Sequence, residues 1–145
     1  MGTADMVTKE YMRENAVLAD AFNYLIYGGK KVIDPAGLTE IDTATSAVGK
    51  KDALQKYRDV LKAAVIKQDE KMSYVLLGIE NQTDVHYAMP VRNAIYDALQ
   101  YGRQVADIAA EHRRNKKDFT GKSNGEYLSG FLKEDHIRPV ITLVI

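Results

Sequence analysis

The chain has 145 residues, 46% of them hydrophobic and 28% charged, with twenty basic side chains balancing twenty acidic ones. That composition suits one ordinary globular domain with a real core rather than a disordered chain, and the overall charge selects no nucleic-acid partner, leaving only local clustering to do so. Cysteine is absent, which excludes disulfides, zinc–thiolate sites and thiol nucleophiles and fits a reducing cytoplasm.

The first residues, Met1-Gly-Thr-Ala-Asp5, lack the basic-then-apolar layout of a signal peptide. No stretch approaches the roughly 18 apolar residues that span a bilayer, so no membrane is expected. Lys9 to Tyr27 reads as a helix, with Val17, Leu18, Ala21, Phe22, Leu25 and Ile26 on one apolar face, Thr8 as its N-cap and Gly28-Gly29 as its stop. Lys30 to Lys51, with Pro35, Gly37 and Gly49, reads mostly as loop, with a short element around Leu38 to Asp42.

Lys51 to Ile66 has two readings. Ala53, Leu54, Tyr57, Val60, Leu61, Ala64 and Val65 match a helical face, which leaves an all-helical interaction protein open. Tyr57 to Lys62 also reads as a short strand. Lys67 to Lys71 is polar and turn-like, and Tyr74-Val-Leu-Leu-Gly-Ile-Glu80 then reads as a strand buried on both faces. Pro90 to Arg113 is the clearest helix, with Val91, Ile95, Ala98, Leu99, Gly102, Val105, Ala106 and Ala109 along one face. Pro90 suits its first turn, and His112 to Lys117 closes it with positive charge. Phe119 to Gly125 reads as a loop and Glu126 to Leu132 as a short helix. The chain ends inside the strand-like Pro139-Val-Ile-Thr-Leu-Val-Ile145, which suggests a fragment, a truncated frame or a last strand that needs a partner.

Glu80 is the residue to explain, because a charge at the end of a buried strand is costly unless paired or metal-bound. Side chains alternate along a strand, so Gln82 points to the same side as Glu80. Asp59 and Glu80 are equidistant from the centre of the polar stretch, between Asp69 and Glu70. A symmetric antiparallel hairpin would set them opposite each other on one face. Carboxylates roughly 5 Å apart repel unless a cation lies between them, and a divalent ion is the natural occupant.

At these residues the chain resembles a known family. Tyr57-Arg-Asp59-Val, then Gly78-Ile-Glu80-Asn-Gln82, then Met89-Pro-Val-Arg92 with Tyr96, look like the recombination-promoting nucleases and PD-(D/E)XK nuclease family transposases. The resemblance extends to Ala19-Asp20-Ala-Phe22 and to Gly125-Glu-Tyr-Leu-Ser-Gly-Phe131. It implies an α/β fold with a restriction-endonuclease-like (PD-(D/E)XK) core, a small mixed sheet flanked by helices. Residues 1–145 would form a single such domain, the N-terminal part of a longer family pattern. Asp59 and Glu80 would hold Mg2+ or Mn2+, with Asp20 as an accessory acidic residue. Gln82 stands where many relatives have lysine and would orient the attacking water without supplying a charge. Because that fold places Asp59 on a strand beside Glu80, the strand reading of Tyr57 to Lys62 is preferred. The implied activity is metal-dependent endonucleolytic hydrolysis of DNA in recombination or mobile-element processing, in a bacterial cytoplasm. The alternative is a catalytically inactive relative that serves as a DNA-binding or oligomerising module, and a homodimer is open in either case.

Each of these residues also has a plainer role. Glu80 would simply face solvent or cap the next helix, and Asp59 would lie on the surface of an amphipathic helix. Arg92 and Tyr96, four apart, share a helical face; Arg92 contacts a phosphate or pairs with Asp97 or Glu111. Arg113, Arg114, Lys116 and Lys117 grip a DNA backbone or act as a solvated helix cap. His86 and His136 have no second histidine at metal-ligand spacing and read as incidental.

Overall fold

The computed structural model describes residues 3–41, 44–46, 55–57, 60–68, 71–81 and 87–145. Two helices, α1 (Thr3–Arg13) and α2 (Asn15–Leu25), replace the single first helix expected from the sequence. The break at Glu14 has a tertiary cause. The buried Lys62 ammonium donates to the Arg13 carbonyl, which the interrupted ladder has released, and to Asn15 Oδ1.

A 3-10 turn at Pro35–Gly37 leads into β1 (Thr39–Glu40). A separate two-stranded ribbon follows, β2 (Ala44–Ser46) with β3 (Gln55–Tyr57). β4 (Val60–Gln68) and β5 (Lys71–Glu80) form the centre of the sheet. The helical reading of Lys51 to Ile66 therefore fails over Val60 to Ile66, where β-branched and apolar residues pair across strands. The strands also run on through Gln68 and from Lys71, into the stretch read as a turn.

α3 (Met89–Arg114) crosses to β6 (Val140–Val144), with the short α4 (Asn124–Ser129) between them. The main sheet has the order β1-β4-β5-β6, antiparallel except for the parallel β5–β6 pair, which is the small mixed α/β sheet anticipated. No helix among the described residues is long and apolar enough to cross a membrane.

Alternation along the strands divides the structure into layers. Val60, Ala64 and Ile66 of β4 and Val75, Leu77 and Ile79 of β5 pack with Leu18, Ala19 and Phe22 of α2. Leu61, Leu76 and Glu80, of the other parity, lie buried on the α3 side. Asn23 of α2 pins the chain that leads to the sheet: its Oδ1 accepts from the Val32 and Ile33 N–H groups at 2.9 and 2.7 Å, and its Nδ2 donates to the Ile33 carbonyl at 2.9 Å.

α3 does not bury the apolar face read from its sequence. Val91 is 64% exposed, and Ile95, Ala98, Gly102 and Ala106 are exposed with it. Met89, Tyr96 and Gln100 are buried instead, and of the expected face Ala109 alone is buried, with Leu99 and Val105 half-buried. The reason is polar: Tyr101, Asp97 and Gln104 bond to β6 and its approach, so the helix is rolled to bring these groups to the sheet.

α4 docks on the end of α3. Gly130, in the left-handed region at φ 70°, caps α4 so close to α3 that a Cβ there would meet Ala109 Cβ at 3.1 Å. Ser123 and Glu126 form a capping box at the start of α4. Backbone N–H bonds from Lys133 and Ser123, with the Ser123 hydroxyl, lower the Glu126 pKa from 4.5 to about 2.

Asn23→Ala removes three bonds and takes their partner from the Ile33 N–H and carbonyl beneath α2, while the Val32 N–H keeps the Lys30 carbonyl at 2.9 Å. It is expected to lower unfolding stability by about 2–4 kcal/mol in urea titrations. Glu126 has a depressed folded pKa, so its contribution is complete above pH 4.5 and fades as pH falls toward about 2. Carboxyl NMR titration of Glu126, with the Lys133 amide as reporter, checks that window.

Candidate functional site

Glu80 ends the central strand with only 2% of its side chain exposed. Its parity turns it away from the α2 core and toward α3. There Arg92 Nη2 lies 3.4 Å from Glu80 Oε1. Arg92 is 47% exposed, so it joins the buried carboxylate to the surface. Its Nε donates to the Tyr96 hydroxyl at 2.9 Å, and its guanidinium sits 5.5 Å from the Tyr96 ring centre. The shared face expected for Arg92 and Tyr96 is therefore observed. The ion-pair partner of Arg92 here is Glu80, rather than the Asp97 or Glu111 considered from sequence. Asp97 instead accepts from the Thr142 hydroxyl at 3.0 Å.

Asp59 and Gln82 lie outside the described residues. The neighbouring register is described: Val60 pairs with Ile79, Leu61 with Gly78, and so on to Gln68 with Lys71. This is the register that the hairpin arithmetic assumed. Asp20 is not brought to Glu80. It is exposed on α2, on the opposite side of the sheet, where it borders a cavity with Tyr24, Lys31 and Asp34. Among the described residues, no group of three or more histidine, cysteine, aspartate or glutamate side chains could hold a metal. Glu80 is the one described carboxylate of the expected pair.

The basic residues separate into two places. Arg113, Arg114, Lys116 and Lys117 are exposed at the far end of α3. At a rise of about 1.5 Å per residue, Arg114 lies about 33 Å along the helix from Arg92. His112 is not part of that exposed set. Its Nδ1 is 3.0 Å from the Gly130 carbonyl and its Nε2 is 3.3 Å from Asp135 Oδ1, which fastens α4 to α3.

Sequence reasoning passed over the rest of the inward face of α3. Arg92, Tyr96, Gln100 and Gln104 recur every fourth residue, which is a polar row along one side of a helix. That spacing was the available signal, hidden by the larger number of apolar residues on the opposite side. Asn93, next in chain to Arg92, has a buried Oδ1 with no hydrogen-bond partner among the described residues.

No family model matches the chain, and neither a curated protein nor a solved structure matches it.

Truncating Arg92 would leave Glu80 buried without this counter-charge. Arg92→Ala is expected to destabilise by about 1–3 kcal/mol, discounted from a fully buried pair because Arg92 is half exposed. Glu80→Gln in the same chain should recover part of that loss. A double-mutant cycle of unfolding free energies reads the coupling, and strict additivity would deny it.

Proposed function

We propose that this chain is a magnesium- or manganese-dependent endodeoxyribonuclease with a PD-(D/E)XK core, acting in recombination or mobile-element DNA processing in a bacterial cytoplasm. The observation that carries the reading is Glu80, a carboxylate almost fully buried at the end of the central strand and facing a half-exposed arginine. A small mixed sheet with helices on both faces is compatible with that core. Asp59 is the second ligand in this reading, which requires it to continue the Val60–Ile79 register by one residue.

Glu80 and Asp59 would hold the divalent ion, which would supply Lewis acidity toward a phosphate. Gln82 would orient the attacking water through its amide. Arg92 balances Glu80 in the free chain and turns its guanidinium to a phosphate in the complex. Arg113, Arg114, Lys116 and Lys117 grip the backbone farther along α3. The distance of about 33 Å from Arg92 is close to one turn of B-form DNA, so one duplex laid along the helix reaches both.

One observation favours a second reading. Arg92 already neutralises Glu80 at 3.4 Å, as expected of an inactive relative in which the pair is structural and the domain only binds DNA or oligomerises. Nicking of supercoiled plasmid with magnesium separates the two. The wild-type chain should nick, EDTA should stop it, and Glu80→Gln should slow it about a hundredfold or more. Equal products from wild type and Glu80→Gln, or no nicking by either, remove the enzyme reading.

A further inference from the structure

Between α3 and the sheet lies a second feature, separate from Glu80. A cavity of about 390 Å³ opens where the polar row of α3 passes over Leu76 of β5 and the segment leading to β6. Its size falls within the roughly 300–1,000 Å³ usual for small-molecule sites. Gln100 lines it and is only 4% exposed. A primary amide at the wall of such a cavity calls for something that both donates and accepts a hydrogen bond.

The remaining lining restricts what that something is. Leu76 and Ile108 provide apolar walls. Two arginines line the cavity, Arg103 and Arg138, with one acidic residue, Asp107, whose carboxylate lies 3.8 Å from Arg103 Nε. His136, which looked incidental in the sequence, also lines it. Arg138 is held in place twice: its guanidinium lies 5.4 Å from the Tyr74 ring centre, and its backbone is clamped by Gln104, which accepts from the Arg138 N–H at 2.6 Å and donates to its carbonyl at 3.0 Å.

We propose that this cavity is a nucleotide-binding site, with the base edge read by the Gln100 amide and the phosphate held by Arg138 and Arg103. The amide offers a donor and an acceptor side by side, the pair that glutamine uses toward adenine. Leu76 and Ile108 cover the faces of a planar ring, for which apolar walls suffice. The guanidinium groups present forked donors suited to phosphate oxygens. A purely apolar ligand would leave Gln100 unsatisfied, and inorganic phosphate alone would leave the walls uncovered. The nucleotide comes either from solution or from a strand that turns one base inward. Leu76 precedes Glu80 by four residues, about 13 Å along the strand, so this site is distinct from the proposed metal centre.

Binding of dAMP to the full chain, measured by calorimetry in EDTA, tests the site without reference to cleavage. The expected result is a Kd of about 1 mM or tighter, weakened about tenfold by Gln100→Leu and similarly by Arg138→Ala, and unchanged by Glu80→Gln. Arg138 is exposed, so its variant keeps the test decisive if Gln100→Leu fails to fold. Displacement of dAMP by an oligo-deoxyadenylate assigns the strand as source, and lack of displacement assigns the free nucleotide. Absence of dAMP binding at about 10 mM, phosphate binding as tightly as dAMP, or wild-type affinity in both pocket variants overturns the proposal. Because EDTA removes any metal and Glu80→Gln remains competent, failure here and failure of the nuclease reading are told apart.

Discussion

The β4–β5 register governs the rest of the molecule. Val60 against Ile79, repeated to Gln68 against Lys71, sends Val60, Ala64, Ile66, Val75, Leu77 and Ile79 to the α2 side, where Leu18 and Phe22 are completely buried. A slip of one residue would exchange the faces of a strand and bring polar or small groups into that core. Glu80 faces α3 as a consequence of this apolar demand. Its position follows from six hydrophobic neighbours, none of which has chemistry of its own. The parallel β6 follows the same parity, with Ile141, Leu143 and Ile145 against the α2 core and Thr142 toward α3.

The two faces of the sheet are thereby built on different principles. The α2 side is closed by close-packed aliphatic groups, which resist voids and slippage. The α3 side is joined by polar contacts, Thr142 to Asp97, the Val140 N–H to Tyr101, and Arg138 to Gln104. Turning the polar row of α3 inward leaves Val91, Ile95 and Ala98 in solvent, and so forgoes apolar burial worth roughly 25 cal/mol per Å². A layer assembled that way is less tightly filled, and the cavity at Gln100 is the space it leaves. Close apolar packing is concentrated on one side of the sheet and polar contacts on the other.

That division explains what could be read in advance. The Tyr74–Glu80 strand was legible because burial on both faces leaves an uninterrupted apolar run, and the hairpin centre followed from the polar residues around Asp69 and Glu70. The helix from Pro90 was legible in extent, since Pro90 and the basic end mark its limits. Its orientation was not. Counting apolar residues selects the face with Val91, Ile95 and Ala98, whereas bonds to residues more than thirty positions away decide which face meets the sheet. The break at Glu14 was hidden for the same reason, because Lys62 lies 49 residues from the carbonyl it satisfies. Segment 51–66 matched two periods at once, and only strand partners could choose between them. Asp59 and Gln82, on which half of the expected metal centre rests, fall outside the described residues.

The Glu80–Arg92 pair is best understood through unequal desolvation. Glu80 is removed from water almost completely, while Arg92 keeps about half of its surface there, so the carboxylate bears most of the cost of the pair. The 3.4 Å separation exceeds the roughly 2.7–2.9 Å of a strong charge-assisted hydrogen bond, and the guanidinium also directs its Nε to Tyr96. Arg92 is thus a serviceable counter-ion that Tyr96 keeps partly turned away. In the proposed reading a divalent cation would have to displace that guanidinium, and Tyr96, bonded to its Nε, would keep Arg92 beside the strand end.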